Sequence, residues 1–221
     1  MRYYPIYLDV RNRNCLVVGG GAVGTRKVKT LLNCEAHVTV VSPGVTVPLQ
    51  KLVNTGSVIL KKRPFRTADL EGMFLVFGAT NNEALNRQIH SGAERLGMLC
   101  NIADRPEACN FILPSIVDRW DLIIAISTSG KSPAFAKKLR QDLEKMFGEE
   151  NAEFLKLMGA VRRKLLSQDH QAEDHKHLFE QLIHRDLLAM IKDHKHEDIN
   201  ALLLELIGEG YTFESLMSVH P

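Results

Sequence analysis

Cys15-Leu16-Val17-Val18-Gly19-Gly20-Gly21-Ala22-Val23-Gly24 is the stretch on which the fold turns. Its first four residues predict a buried strand. Gly19, Gly21 and Gly24 have G-x-G-x-x-G spacing, and Ala22 to Asn33 carries the periodicity of a helix. Gly19 permits a tight turn, and Gly21 lets the backbone approach a pyrophosphate. Gly24 lets the helix pack on the strand, with the N–H groups of the helix N-terminus facing the anion. The string alone also fits a glycine-rich turn with no ligand; the strand before it and the helix after it favour a nucleotide.

Outward from this unit, short β-rich runs alternate with helical patterns, as in a parallel sheet built from strand-helix-strand units. Cys15 to Gly20, His37 to Ser42, Val58 to Arg63, Phe74 to Thr80 and Leu99 to Ala103 are the expected strands. Asn82 to Leu96 reads as a helix, and Val45 to Thr55 as a weaker one interrupted by Pro48. Two further strands, Phe111 to Val117 and Leu122 to Ser127, flank a polar turn. Ser132-Pro133 then opens a helix to Phe147, ended by Gly148. Beyond Glu149 the pattern is helical, roughly Asn151 to Ser167, Asp174 to Asp193 and His196 to Ile207. The expected class is therefore α/β: a Rossmann-like sheet over 1–113, a small α+β segment over 114–148, and an all-α domain over 149–221.

A chain of 221 residues with 45% hydrophobic and 24% charged content buries a core without covalent staples. Its net charge of +2 gives no general reason to bind nucleic acid. Cys15, Cys34, Cys100 and Cys109 form no C-x-x-C pair and read as thiols of a reducing compartment. No window reaches the ~18 apolar residues of a membrane span, and the N-terminus lacks a signal-peptide run, so a cytoplasmic protein with no membrane partner is expected.

The dinucleotide fingerprint places an acid at the end of the second strand to hold the ribose, and here Ser42 stands there, followed by Pro43 and Gly44. With no arginine in reach for a 2′-phosphate, NAD is expected over NADP. Ala22, Val23, Thr80 and Asn81 join the candidate nucleotide contacts, although Asn81 reads equally as a helix N-cap. Asp104 ends the fifth strand at the same edge as the glycine loop and is the candidate acid/base; the turn-forming string Asp104-Arg105-Pro106-Glu107 offers a second reading that spacing leaves open. No tyrosine has a lysine four residues on, which disfavours short-chain dehydrogenase chemistry.

Ser127-Thr128-Ser129-Gly130-Lys131-Ser132-Pro133 supplies hydroxyls, a helix N-terminus and a lysine, a plausible receiver for a carboxylate. Lys131, Arg105 and Arg119 are the first cations expected on an acidic substrate. His170, His175, His177, His184, His194 and His196 crowd the last third, but rings in a His-x-His pair fall about 200° apart on a helix, so a polar helix surface is expected there and not a metal site.

Tyr4-Pro5-Ile6-Tyr7-Leu8, Arg13 to Gly21 with Arg26-Lys27, Ala79-Thr80-Asn81, Cys100-Asn101-Ile102-Ala103-Asp104, Phe111-Ile112-Leu113-Pro114-Ser115 and Ser127 to Pro133 occur in one order across Tyr4 to Phe147. In this the chain resembles the precorrin-2 dehydrogenase/sirohydrochlorin ferrochelatase family, the N-terminal module of siroheme synthase. The resemblance implies oxidation of precorrin-2, a polycarboxylate tetrapyrrole, to sirohydrochlorin with NAD⁺. It also implies a homodimer formed through the central segment and, in some members, insertion of ferrous iron to give siroheme. The family's aspartate falls on Asp104, which would also meet the iron. Its nucleotide contacts fall on Gly19, Gly21, Ala22, Val23, Pro43 and Gly44; for this chain, substrate contacts are expected at Asn101, Arg105, Ser127, Thr128 and Lys131. Thr128 departs from the frequent Ser-Ser of that loop. With the sequence ending at Pro221, a stand-alone enzyme without the fused methyltransferase is expected. Two other classes explain less: a non-catalytic NAD(H)-sensing module, and a chelatase or metallochaperone in which the nucleotide site is vestigial.

Overall fold

The computed structural model describes residues 2–167 and 172–218, and the chain divides into two compact units, Met1–Leu113 and Pro114–Pro221. Among the described residues no helix is long and apolar enough to cross a membrane.

The first unit is a five-stranded parallel sheet in the order β3-β2-β1-β4-β5. Its strands are β1 (Asn14–Gly20), β2 (His37–Val45), β3 (Ile59–Lys61), β4 (Leu75–Gly78) and β5 (Leu99–Ile102), and its helices are α1 (Ala22–Asn33), α2 (Val47–Asn54) and α3 (Glu83–Arg95). Alternation along β1 explains why a continuous apolar run forms the central strand. Cys15 and Val17 join the core beneath α1 and α2 with Val28 and Leu49, whereas Leu16 and Val18 join the core beneath α3 with Ile89 and Ala93. The chain reverses its winding between β1 and β4, the crevice where ligands of such sheets bind.

Pro48 does not interrupt α2, as its position in the sequence suggests, but begins it. The Thr46 hydroxyl accepts from Leu49 N at 3.4 Å and Pro48 sits in the first turn, where its missing N–H needs no partner. The run from Phe111 is likewise not strand at its start. Asn110 lies along the edge strand β5: Cys100 N donates to its Oδ1 (2.8 Å), its Nδ2 donates to Met98 O (2.8 Å) and its own N donates to Cys100 O (3.1 Å). One side chain thus covers backbone groups that an edge strand would otherwise expose.

In the second unit, β6 (Ser115–Arg119) and β7 (Leu122–Ile126) form an antiparallel hairpin. Helix α4 (Pro133–Met146) packs on both strands and α5 (Glu150–Leu166) on β7, so the stretches that the sequence separates at Glu149 lie together. The core of α5, α6 (Ala172–His184), α7 (Leu187–Lys192), α8 (His196–Leu206) and α9 (Phe213–Met217) gathers Leu157, Val161, Leu182, Leu187, Ile191, Ile199 and Leu203. The single helix expected from Asp174 to Asp193 is broken. Asp186 adopts φ 57°, a left-handed conformation that aspartate tolerates, and the new direction turns Leu187 and Ile191 inward together.

Candidate functional site

The glycine loop joins β1 to α1 through contacts that only glycine allows. Gly19 has φ 114°, and a Cβ there would lie 2.2 Å from Ala79 O; a Cβ on Gly24 would lie 2.0 Å from Gly19 O. Gly20, which the fingerprint leaves free, is as tightly placed, because a Cβ would meet Gly44 O at 2.3 Å. Gly21 and Gly44 differ, since a Cβ on either meets nothing within 4 Å. Helix α1 has no side-chain cap and no acidic residue in its first turn. The amides of Ala22, Val23 and Gly24 at this N-terminus therefore suit a diphosphate, and the residues present fit a dinucleotide.

Ser42, expected beside the ribose, is instead spent on the loop. It is 7% exposed; its Oγ accepts from Gly20 N at 3.0 Å and donates to Gly44 O at 2.6 Å. Pro43 and Gly44 remain exposed at the end of β2. Thr25 and Thr46, which carry no motif, tie α1 to the start of α2 with hydroxyls 2.7 Å apart.

Beyond β4, Thr80 Oγ1 donates to Asn86 Oδ1 at 2.8 Å, and the N-cap of α3 is Asn82, whose side chain accepts from Leu85 N at 3.0 Å. The capping reading of Asn81 is thereby corrected by one residue, and Asn81 stands exposed.

The register of β1, β4 and β5 sets Val18 beside Gly78 and Gly78 beside Ile102. The glycine loop and Asp104 thus leave the same edge of the sheet on either side of β4. Arg105 N bonds Ile102 O at 3.3 Å, closing a turn in which Asp104 has φ 60° and is exposed. Asp104 thus makes the turn and also presents an exposed carboxylate at this edge, so the turn reading leaves the acid/base reading open. Asn101, expected on the substrate, is half-buried and donates Nδ2 to Phe111 O at 3.0 Å, which positions the loop after β5. Arg105 pairs with Glu83 (3.4 Å) and Glu107 (3.8 Å) at a half-exposed position.

The Ser127 loop belongs to the second unit. Ser127 Oγ accepts from Ser129 N (3.1 Å), Thr128 Oγ1 accepts from Ser132 N (3.2 Å) and Ser132 Oγ caps Phe135 N (3.2 Å), with Ser129 and Gly130 at positive φ. The Ser127 and Thr128 hydroxyls keep a proton to donate, and Lys131 is exposed beside them. Arg119, expected among the substrate cations, donates Nε to Phe147 O (2.8 Å) and NH2 to Glu144 O (2.8 Å), which closes the carboxyl end of α4, and NH1 to Asp118 O (2.9 Å) on its own strand.

His194 lies in the turn before α8 and His196 at its start, where the ring stacks on Phe213 at 4.4 Å. His170 and the side chain of His175 lie outside the described residues. Among the described residues no group of three or more histidine, cysteine, aspartate or glutamate side chains is placed to hold a metal ion. Burial pushes the Cys15 thiol up to about 11 and the Cys100 thiol up to about 12, so both stay protonated near neutral pH.

Residues 6–115 match the family described as "Putative NAD(P)-binding", and residues 121–146 match the family described as "Sirohaem biosynthesis protein central". The siroheme synthase of Vesicomyosocius okutanii subsp. Calyptogena okutanii (strain HA) is 35% identical over 182 residues, 82% of this chain and 39% of that protein. The siroheme synthase of Nitrosomonas eutropha (strain DSM 101675 / C91 / Nm57) is 33% identical over 211 residues, 95% of this chain and 44% of that protein. The chain thus spans about two fifths of the length of these relatives. A solved structure described as SirC, precorrin-2 dehydrogenase, superposes with a TM-score of 0.74 at 27% identity, covering 86% of this chain and 100% of that one.

Proposed function

We propose that this chain, which belongs to the family of the siroheme synthases and precorrin-2 dehydrogenase it matches, oxidises precorrin-2 to sirohydrochlorin with NAD⁺. The observation that carries this reading is the shared edge of the first unit, with a glycine loop open at Gly21 and an exposed carboxylate at Asp104 on either side of β4. NAD⁺ supplies the hydride acceptor. The amides of Ala22, Val23 and Gly24 would hold its diphosphate, and Pro43, Gly44, Thr80 and Asn81 would be its further contacts. Asp104 takes the single proton that the substrate loses as its hydride leaves and passes it to solvent, so that two electrons and two protons depart, one of the protons within the hydride. Within the first unit Arg105 is the receiver offered to a substrate carboxylate; the second unit, taken by itself, offers the hydroxyls of Ser127 and Thr128 with Lys131 to a carboxylate.

The protein acts in the cytoplasm as a homodimer in this reading. The hairpin supports the dimer, because Ile116 and Ile123 stand 42% and 43% exposed on one face of it. Ferrous iron, as a second substrate, would meet Asp104. The test is anaerobic incubation of the purified protein with precorrin-2 and NAD⁺, following NADH and sirohydrochlorin by absorbance, then adding ferrous iron. NAD⁺-dependent turnover that falls about 10²–10⁴-fold in Asp104→Ala with NADH binding intact is expected. Tight NADH binding without turnover would move the assignment to a sensing module, and siroheme formation on adding iron would establish the second activity.

A further inference from the structure

Arg87 and Arg105 converge on one carboxylate oxygen from two different elements. Arg87, one turn into α3, donates NH1 to Glu83 Oε1 at 3.1 Å, and Arg105, in the turn after β5, brings NH2 to the same oxygen at 3.4 Å. Glu83 is the first residue of α3, so the three side chains join the start of that helix to the residue that follows Asp104. Glu107 reaches only Arg105 of the two, at 3.8 Å. The three line a cavity of about 240 Å³ whose wall also includes His90, Ile102 and Ala108. That wall is not fully satisfied: His90 Nδ1 is buried and has no hydrogen-bond partner among the described residues. The side chains of Glu83, Arg87 and Arg105 are 56%, 70% and 47% exposed. An ion pair this open to water contributes no more than about fivefold to an equilibrium constant. The two guanidiniums are thus aimed at one carboxylate position, and the group seated there is cheaply exchanged.

We propose that Arg87 and Arg105 form a subsite for one carboxylate arm of the tetrapyrrole, and that Glu83 is its built-in competitor, which the substrate displaces. The inference rests on the proposed dehydrogenase reading and extends it. Arg105 follows Asp104 directly in the chain, so a carboxylate held by Arg105 anchors the macrocycle beside the base. Glu83 recovers its hydration when it swings out, whereas a ligand without a carboxylate gains no charge-assisted bond by displacing it. The competitor therefore costs the polycarboxylate substrate little and bars apolar or neutral ligands from the cavity.

The test is a double-mutant cycle on binding, which does not depend on turnover. Sirohydrochlorin is titrated anaerobically into the full chain as wild type, Glu83→Gln, Arg87→Gln and Glu83→Gln/Arg87→Gln. Glu71→Gln, which removes an exposed carboxylate of the same unit outside the cavity, controls for net charge, and NADH affinity and thermal midpoint are followed throughout. Glu83→Gln is expected to tighten sirohydrochlorin binding about fivefold, the size of one unit-charge interaction at about 4 Å in water. Loss of Arg87 should weaken binding about fivefold once Glu83 is neutral and less than twofold beside it, because in the wild type the arginine gives up one carboxylate to take another. Additive effects would mean that the two charges act on the ligand independently through space, and would overturn the proposal. Unchanged or weaker binding in Glu83→Gln would overturn it too, with a fall in thermal midpoint assigning Glu83 to the helix start instead. Equal tightening in Glu71→Gln, or of NADH in Glu83→Gln, would reduce the effect to net charge and overturn it as well. If the wild type neither binds sirohydrochlorin nor oxidises precorrin-2, the dehydrogenase reading itself fails and this inference falls with it. Wild-type binding indifferent to Glu83 and Arg87 refutes this inference alone.

Discussion

The hydroxyl of Ser42 accepts the amide proton of Gly20 at 3.0 Å, joining the end of β2 to the middle of the glycine loop. The same hydroxyl gives its own proton to Gly44 O, so one buried side chain sets the spacing between the two loops of the proposed nucleotide site. Ser42→Ala leaves the Gly20 amide without this partner and is expected to cost about 1–3 kcal/mol. Denaturant unfolding should show that loss, and NADH titration a several-fold weaker Kd. An unaltered Kd would mean that the loop holds its shape without Ser42.

Gly21 and Gly24 are expected to separate binding from folding. A methyl group at Gly24 would overlap Gly19 O, whereas at Gly21 it points into open space on the ligand side. Gly21→Ala should fold with its thermal midpoint nearly unchanged and lose NADH affinity, because the methyl occupies the approach of the diphosphate. Gly24→Ala should lose both. Equal loss of stability in the two variants would contradict this placement.

Asp69 is a buried carboxylate, 3% exposed as a side chain, with Arg63 NH2 at 2.6 Å, Lys61 Nζ at 3.0 Å and Arg66 N at 2.9 Å. The Arg63 bond is the largest of the causes that hold its carboxyl well below the usual carboxylate range. A depressed folded-state pKa contributes stability that is fully present above the unfolded value of about 3.9 and is lost as pH falls through the folded value. Asp69→Asn should therefore cost about 2–3 kcal/mol at pH 7, where its half-exposed cations turn to water. The gap between wild type and variant should narrow below about pH 4 in an acid-unfolding series. A gap independent of pH would show that packing, not charge, carries the effect.

Arg119 donates to two carbonyls at the end of α4, Glu144 O and Phe147 O, and to Asp118 O on β6, so its removal is a stability event in the second unit. Arg119→Ala should destabilise by about 1–2 kcal/mol, and Arg119→Lys should not restore it, because an ammonium lacks the planar fork that reaches Phe147 O, Glu144 O and Asp118 O together. If the thermal midpoint stays put while affinity for tetrapyrrole falls, Arg119 is a substrate cation after all.

The legible parts of the fold were those with strong local periodicity. Helix α1 begins and ends where its pattern does, and each of the five strands overlaps its apolar run, because a strand buried on both faces has few polar alternatives. Breaks were harder to read. Asp186 divides α6 from α7 through one left-handed residue that carries no composition signal, and α9 was legible only in retrospect from Thr212 and Ser215, which cap it reciprocally. At the candidate site, the motif exposes Gly19, Gly21 and Gly24, but Gly20, Thr25 and Thr46 act through partners distant in sequence.

By itself the sequence determined the alternation of strand and helix, the open glycine turn and the presence of a carboxylate at the end of the fifth strand, since these follow from local periodicity and the steric freedom of glycine. Only the tertiary structure decided which polar groups remain available. Ser42, Asn101 and Arg119 look like ligand contacts in one dimension, and the fold gives each of them backbone partners as well, because a buried or half-buried polar atom must be satisfied by whatever the fold brings within about 3 Å.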